Sequence, residues 1–194
     1  MNSSKRGPPG AVRIIAGEHR GRRLSVPPGR DLRPTPDRVR ETLFNWLGQR
    51  LDGLVCLDLF AGTGALGFEA ASRGAAHVVL VERDRAAFEA LVRAKALLRE
   101  ARVELVHADA RQYLAGTPLR FDVVFLDPPF RQNALPGLLP LLGPRLLEGA
   151  RLYVEAAAPL EPGRELPREF VELRRARAGE VSFQLLQWTG SGQA

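Results

Sequence analysis

The run Val55-Cys56-Leu57-Asp58-Leu59-Phe60, followed at once by Ala61-Gly62-Thr63-Gly64-Ala65-Leu66-Gly67, leaves this chain few architectures. Its first six residues are apolar apart from one acid and read as a buried strand. The strand stops at a glycine-rich turn, and a helical pattern from Ala65 to Ser72 follows. Glycine lacks Cβ and tolerates positive φ, so Gly62 and Gly64 let backbone approach a ligand closely. The helix start offers N–H groups and positive dipole character, where a carboxylate or phosphate could sit.

Taken literally, Gly62-x-Gly64-x-x-Gly67 with Glu82 downstream is the dinucleotide fingerprint. The same strand, turn and helix serve nicotinamide, flavin and S-adenosylmethionine (SAM) enzymes, so the ligand has to be read from the rest of the chain. His77-Val78-Val79-Leu80-Val81 is a second strand, ending in Glu82, and Asp84 to Arg99 is an amphipathic helix. Val103 to His107 is a third strand, ending near Asp109, with a short helix from Arg111 to Ala115. Phe121 to Leu126 is a fourth strand, ending in Asp127-Pro128-Pro129-Phe130. The segment from Asn133 to Leu142 is helical but short or kinked, because it carries Pro136 and Pro140. Arg151 to Glu155 is a fifth strand, and Phe170 to Arg177 with Glu180 to Trp188 form a closing pair. Strands alternating with helices predict an α/β, Rossmann-like fold: a mostly parallel sheet covered on both faces, with an antiparallel last strand and its ligand at the carboxyl ends.

Ahead of this domain (51–188) lies a basic segment (12–50), preceded by a leader (1–11) expected to be disordered; a short tail (189–194) follows the domain. Val12 to Ala16 and Arg22 to Val26 read as a β-hairpin, Pro27 to Pro36 as an extended linker. Thr35 is expected to cap a helix that starts at Pro36, with Val39, Thr42, Leu43, Trp46 and Leu47 as its apolar stripe and Arg38 and Arg40 flanking it. Residues 1–50 hold 11 Lys/Arg against 4 Asp/Glu, whereas residues 51–194 hold 17 against 18, so the whole net charge of +6 sits in the first quarter. Only two of the 28 cations are lysines, a bias that explains arginine over lysine but not the clustering. Localised positive charge points to nucleic acid, and Arg13, Arg20, Arg22, Arg23, Arg33, Arg38 and Arg131 are the candidate phosphate contacts.

No apolar run reaches the ~18–20 residues of a membrane span, and no signal peptide is apparent. The single cysteine, Cys56, sits in the first predicted strand of the sheet, where it is most simply a small core residue. These features fit a cytoplasmic protein. His19 lacks any Cys/His company and reads as a turn residue, so no metal is expected.

Four carboxylates fall at successive strand ends: Asp58, Glu82, Asp109 and Asp127. An acid at the second strand can hold a ribose diol, and one at the third can accept from an adenine amino group, although Asp109 could equally be a helix N-cap. Two consecutive prolines after Asp127 lock φ and remove two N–H donors. The stiff loop leaves a carboxylate and carbonyls free to take both hydrogens of a planar amine, and Phe130 offers a face for a base. Such hydrogen bonds favour pyramidalisation of an exocyclic amine and expose its lone pair to a sulfonium methyl held in line. A dehydrogenase has no evident task for this loop.

At these motifs the chain resembles the bacterial 16S rRNA guanine-N2 methyltransferases acting on the guanine at position 966. The resemblance spans roughly Arg13 to Trp188. It is carried by Arg13-Ile14-Ile15-Ala16-Gly17 with Arg20-Gly21-Arg22, by the stretch from Leu32-Arg33-Pro34-Thr35-Pro36-Asp37-Arg38 to Leu47, by the glycine block Leu57 to Gly67, and by Asp127-Pro128-Pro129-Phe130. It implies a seven-stranded class I methyltransferase with SAM as donor and N2-methylguanine as product; the expected partner is 16S rRNA, free or within the small subunit or its assembly intermediate, and the expected state a monomer. It implies that Asp58, Gly62 and Gly64 cradle the methionine end of SAM, that Glu82 binds ribose and Asp109 lies by adenine. Thr35, Phe60, Ala61, Thr63, Arg83 and Ala110 complete the expected cofactor set, which also counts Asp127. The implied catalytic loop is Asp127, Pro128, Pro129 and Phe130. The diproline loop is shared with enzymes that methylate DNA adenine or cytosine or protein glutamine, and these remain the alternative substrates.

Overall fold

The computed structural model describes residues 10–26, 35–129, 134–161 and 163–190. A short hairpin, β1 (Ala11–Arg13) and β2 (Arg23–Ser25), precedes α1 (Asp37–Leu47). Then follow β3 (Val55–Asp58), α2 (Ala65–Ser72), β4 (His77–Glu82), α3 (Arg85–Leu98), β5 (Val103–His107), α4 (Ala110–Gly116), β6 (Phe121–Leu126) and α5 (Leu135–Leu142). The chain closes with β7 (Leu146–Ala156), β8 (Phe170–Ala178) and β9 (Val181–Trp188). Strands β3 to β9 form one seven-stranded sheet in the order β5-β4-β3-β6-β7-β9-β8, apart from the β1-β2 hairpin. The first five run parallel, and β9 inserts antiparallel between β7 and β8. The Rossmann-like sheet expected from the sequence is therefore present, antiparallel closing strand included. No helix among the described residues is long and apolar enough to cross a membrane.

Continuous apolar runs are what a strand covered on both faces requires. Cys56, Val78, Leu80, Phe125 and Tyr153 face a core shared with α1, α2 and the hairpin, while Leu57, Val79, Val81, Val124 and Leu152 face α4 and α5. Cys56 is fully buried, and burial pushes its thiol up to about 12. Gly67 sets the distance between α2 and the sheet: a Cβ there would stand 2.6 Å from Leu80.

The basic N-terminal segment is part of this core. Val12, Ile14 and Leu24 are buried in it. Gly17 turns at φ +79°, and a Cβ there would collide with the Ser72 carbonyl at the end of α2. That carbonyl accepts from Glu18 N at 2.8 Å, and the Ser72 hydroxyl accepts from His19 N at 2.9 Å. Glu69, fully buried on α2, accepts from Ile15 N and Ala16 N at 2.7 and 3.0 Å.

The structure corrects four expectations. Thr35 does not cap α1: Pro36 occupies the cap and the helix begins at Asp37. An N-cap side chain competes with other partners for its hydroxyl, and Thr35 is drawn instead toward Asp127. Arg40 does not flank the apolar stripe but is buried with it. It is 0% exposed, with its guanidinium bonded to Thr35 O (3.2 Å), Arg13 O (2.9 Å) and Asp37 (2.6 Å), and 3.5 Å from Glu69. Phe44 joins Val39, Leu43 and Leu47 on the buried stripe, with Phe125 6.0 Å away, whereas Thr42 is only half-buried. Finally, the hairpin strands are three residues each and begin at Ala11, inside the expected leader. The rest of that leader (1–9), linker residues 27–34 and tail residues 191–194 lie outside the described residues.

Candidate active site

The turn after β3 is fixed by its own amides. Gly62 and Gly64 adopt φ +52° and +76°. Gly62 N donates to Glu82 Oε2 (2.8 Å), Gly64 N to Ala61 O (2.6 Å) and Gly67 N to Asp58 Oδ2 (3.1 Å). The three glycine amides that a pyrophosphate would need are thus already occupied. The anion pocket allowed by the sequence at this helix start is taken up by two of the protein's own carboxylates and the Ala61 carbonyl, which disfavours an anionic ligand there.

Register gathers those carboxylates. Asp58 pairs with Leu80 on β4 and with Phe125 on β6, and Phe125 pairs with Tyr153 on β7. Side chains alternate with period two, so Glu82, Asp127 and Glu155, each two residues further on, share the face of Asp58 one step nearer the rim. Asp109 stands apart beyond the outer strand β5. It caps α4 by accepting from Arg111 N at 2.9 Å, the helix-cap alternative left open by the sequence. Glu82 braces two loops, its second oxygen accepting from Asp84 N at 2.7 Å. Of the other expected cofactor positions, Ala61, Thr63 and Ala110 are buried, Phe60 is half-buried and Arg83 is exposed.

Thr35 reaches this rim from the segment before α1, donating its hydroxyl to Asp127 Oδ2 at 3.5 Å. Pro128 is buried and Pro129 exposed, while Phe130 and Arg131 lie outside the described residues. Two groups that sequence reasoning missed complete the cluster: Glu155, legible there only as a strand end, and Tyr153, whose hydroxyl donates to Glu155 Oε1 at 2.7 Å. A carboxylate closing the apolar run Leu152-Tyr153-Val154 was the available signal, of the same kind as at the other strand ends.

Crowded acids resist ionisation. Burial pushes Asp58 up to about 7, against the pull of the Gly67 and Phe60 amides. Burial, then Glu155, then Asp58 hold Asp127 well above the usual carboxylate range. Burial likewise raises Glu155 against the hydroxyls of Tyr153 and Thr35. Stability should depend on pH accordingly. Below about pH 3.9, the ordinary aspartate value, Asp58 is protonated folded and unfolded alike. Between there and about pH 7 the folded state holds the proton more tightly, so stability falls as pH rises through that window, by on the order of 4 kcal/mol for this group. Chemical denaturation at pH 4 and pH 7 is expected to show this loss, and Asp58→Asn to reduce it. An equal pH dependence in the variant would assign it elsewhere.

Arg20, Arg22, Arg23 and Arg38 lie exposed on the hairpin and α1, as does Arg13, which pairs with Asp37 at 3.3 Å. Arg22 also donates to Leu97 O at 3.0 Å. Arg33 lies outside the described residues.

A rim of mutually repelling carboxyls around a positive-φ glycine turn suits a ligand carrying positive charge and a diol. SAM, with its sulfonium, ammonium and ribose, fits these residues, whereas a nicotinamide dinucleotide would bring its pyrophosphate among them. Strand order and site together define a class I SAM-dependent methyltransferase. The family model described as conserved hypothetical protein 95 matches residues 12–187, and the chain belongs to that family. The chain is 43% identical over 190 residues to the Escherichia coli K12 protein named ribosomal RNA small subunit methyltransferase D, covering 95% of this chain and 94% of that one. The Haemophilus influenzae protein of the same name is 40% identical over 186 residues, covering 92% and 94%. The solved structure of yhhF from Escherichia coli superposes with a TM-score of 0.83 at 39% identity, covering 95% of this chain and 100% of that one.

Proposed function

We propose that this protein transfers a methyl group from SAM to the exocyclic N2 of a guanine in small-subunit rRNA, the guanine at position 966, acting as a monomer on the rRNA or on the subunit assembling around it. The observation that carries this reading is the placement of the diproline loop. Asp127 stands on the acidic rim, and the basic hairpin is anchored to the same side of the sheet through α2. The names of the relatives from Escherichia coli and Haemophilus influenzae support rRNA as the polymer.

Bound SAM would supply an electrophilic methyl on a cationic sulfur. In this reading Asp58 and the turn at Gly62 and Gly64 hold its methionine end, Glu82 its ribose, and the free oxygen of Asp109 its adenine, with Phe60, Ala61, Thr63, Arg83 and Ala110 lining the cleft. Asp127 accepts one N–H of the guanine amine and the carbonyls of the proline loop the other, turning the nitrogen lone pair toward the methyl. Phe130 stacks on the base. Positioning and fixed electrostatics supply most of the rate, since the nucleophile needs only orientation and a proton acceptor.

Incubating the protein with labelled SAM and ribosomal subunits from a strain lacking the endogenous enzyme is expected to place label on a small-subunit guanine N2. Label appearing only on DNA or a glutamine peptide in competition would overturn the substrate. Arg22→Ala with Arg23→Ala should weaken RNA binding and reduce the slope of log affinity against log salt by about one for each phosphate no longer neutralised. An unchanged slope would remove these arginines from the RNA surface.

A further inference from the structure

The face of the sheet that carries Asp127 and Glu155 continues outward beyond the acidic rim. Glu155 pairs with Phe183 on β9, and Phe183 with Ala176 on β8. Residues paired across strands share a face, so this one runs from Asp127 to the edge strand over three strand spacings, roughly 14 Å. Between that edge and α1 lies a groove of about 330 Å³, lined by Asn45, Trp46, Leu173, Arg174 and Leu185. Its floor is apolar and aromatic: Leu185 is buried, and Trp46 stacks on Phe183 with ring centroids 5.3 Å apart. Its polar groups are not consumed by the fold. Asn45 is exposed, and its carboxamide makes no hydrogen bond among the described residues. Arg174 is exposed and donates only to the Leu173 carbonyl, at 2.8 Å. Arg175, on the opposite face, is by contrast neutralised by Glu161 at 2.9 Å and Glu172 at 2.8 Å. A bulge separates Arg174 from Glu172: Glu172 pairs with Leu186, Arg174 with Leu185. Without the extra residue the two would share a face, as residues two apart do. The bulge turns Arg174 away from that acid and toward α1.

We propose that this groove binds single-stranded rRNA a few nucleotides from the target guanine, with one base against Trp46, its edge at the Asn45 carboxamide and a neighbouring phosphate on Arg174. The inference deepens the rRNA reading above and rests on it. It adds Trp46 and the edge strand β8 to the arginines of the hairpin. An aromatic ring beside an unpaired cation is what takes an unstacked base together with its backbone. A carboxamide carries both donors and an acceptor, which suits the edge of a base. The groove lies at the small end of ligand pockets, which run from about 300 to 1,000 Å³, so it has room for a base rather than for a helix of a protein partner. Positive charge also leads to it from the rim. The segment before α1 meets Asp127 through Thr35, and Arg38, exposed in the first turn of α1, stands between that point and Trp46 two turns on.

The direct test places a photo-crosslinking amino acid at Asn45 of the full chain, and separately at Arg20 on the hairpin as a reference. Each protein is irradiated with unmethylated small subunits and, in parallel, with naked small-subunit rRNA. The Asn45 position is expected to crosslink to RNA within a few nucleotides of the guanine that becomes methylated. A crosslink from Asn45 to a ribosomal protein, or none where the Arg20 position reaches RNA, would overturn the proposal and leave the rRNA substrate standing. No RNA crosslink from either position would remove the rRNA reading and this groove with it. In binding, Trp46→Leu is expected to weaken RNA affinity roughly 5- to 100-fold, the range for losing one base–aromatic stack. Trp46→Phe, which keeps a ring over Phe183, should recover most of that loss. A leucine variant that binds RNA as tightly as the phenylalanine one would also overturn the proposal. Arg174→Ala should lower the slope of log affinity against log salt by about 0.7, one single-strand phosphate, with Tm and SAM affinity unchanged. An unchanged slope would remove Arg174 from the RNA and overturn the phosphate contact.

Discussion

Asp127→Ala is expected to cost roughly 10²–10⁴-fold in single-turnover methyl transfer, the range for losing a positioned acid–base group, while SAM affinity by calorimetry stays close to wild type. The amine loses its acceptor and the emerging proton its nearest base, but the glycine turn with Asp58 and Glu82 is untouched. The variant should melt no lower than wild type. Asp127 is crowded by Glu155 and Asp58 and held above its ordinary pKa, so at neutral pH its charge costs stability rather than adding it. Lost activity with an unchanged or raised Tm would separate chemistry from folding. A fall in SAM affinity as large as the fall in turnover would instead move Asp127 into the cofactor cradle.

The second large effect is expected far from the chemistry, at Glu69. This fully buried carboxylate accepts from Ile15 N and Ala16 N, pairs with Arg73 Nε at 2.8 Å and lies 3.5 Å from Arg40 Nη1. Arg73 in turn lies over the Phe44 ring, 4.5 Å from its centroid. Glu69→Ala leaves two buried guanidinium groups without their shared counter-charge and two backbone amides without an acceptor. Removing one partner of a buried ion pair costs about 3–5 kcal/mol, which for a chain of this size lowers Tm by about 6–20 °C. Hydrogen exchange should show the Ile15 and Ala16 amides losing protection first. A Tm within about 2 °C of wild type, less than 1 kcal/mol on that scale, would mean the hairpin is held by Val12, Ile14 and Leu24 alone.

These two residues mark opposite sides of what a sequence makes legible. Asp127 is legible because the local code is strong: an apolar strand, an acid at its end and two prolines that can only make a stiff loop. Gly62, Gly64 and Asp58 are legible for the same reason, and the order of strands and helices follows from periodicity. Glu69 and Arg40 are not. A helix carrying Phe-Glu-Ala-Ala-Ser or Val-Arg-Glu-Thr places a charge somewhere on its circumference, and whether that face meets solvent or a neighbouring element is decided by segments distant in sequence. Arginine is rarely buried alone, so the sequence sets Arg40 beside the apolar stripe; it is buried here because Glu69, 29 positions away, is buried with it.

What the sequence determined by itself was the set of local instructions: the parallel sheet, the glycine turn, the acids at strand ends, the diproline loop and the placing of excess positive charge in the first 50 residues. What only the tertiary structure decided was which acids became neighbours. Strand order sets Glu155 beside Asp127 and leaves Asp109 beyond β5 as a helix cap. The docking of the N-terminal segment on α2 then delivers Thr35 to Asp127. The reason is physical: backbone preference and hydrophobic period act within a few residues, whereas a carboxyl's proton depends on the charges and solvent within a few ångströms, and only the folded chain fixes those.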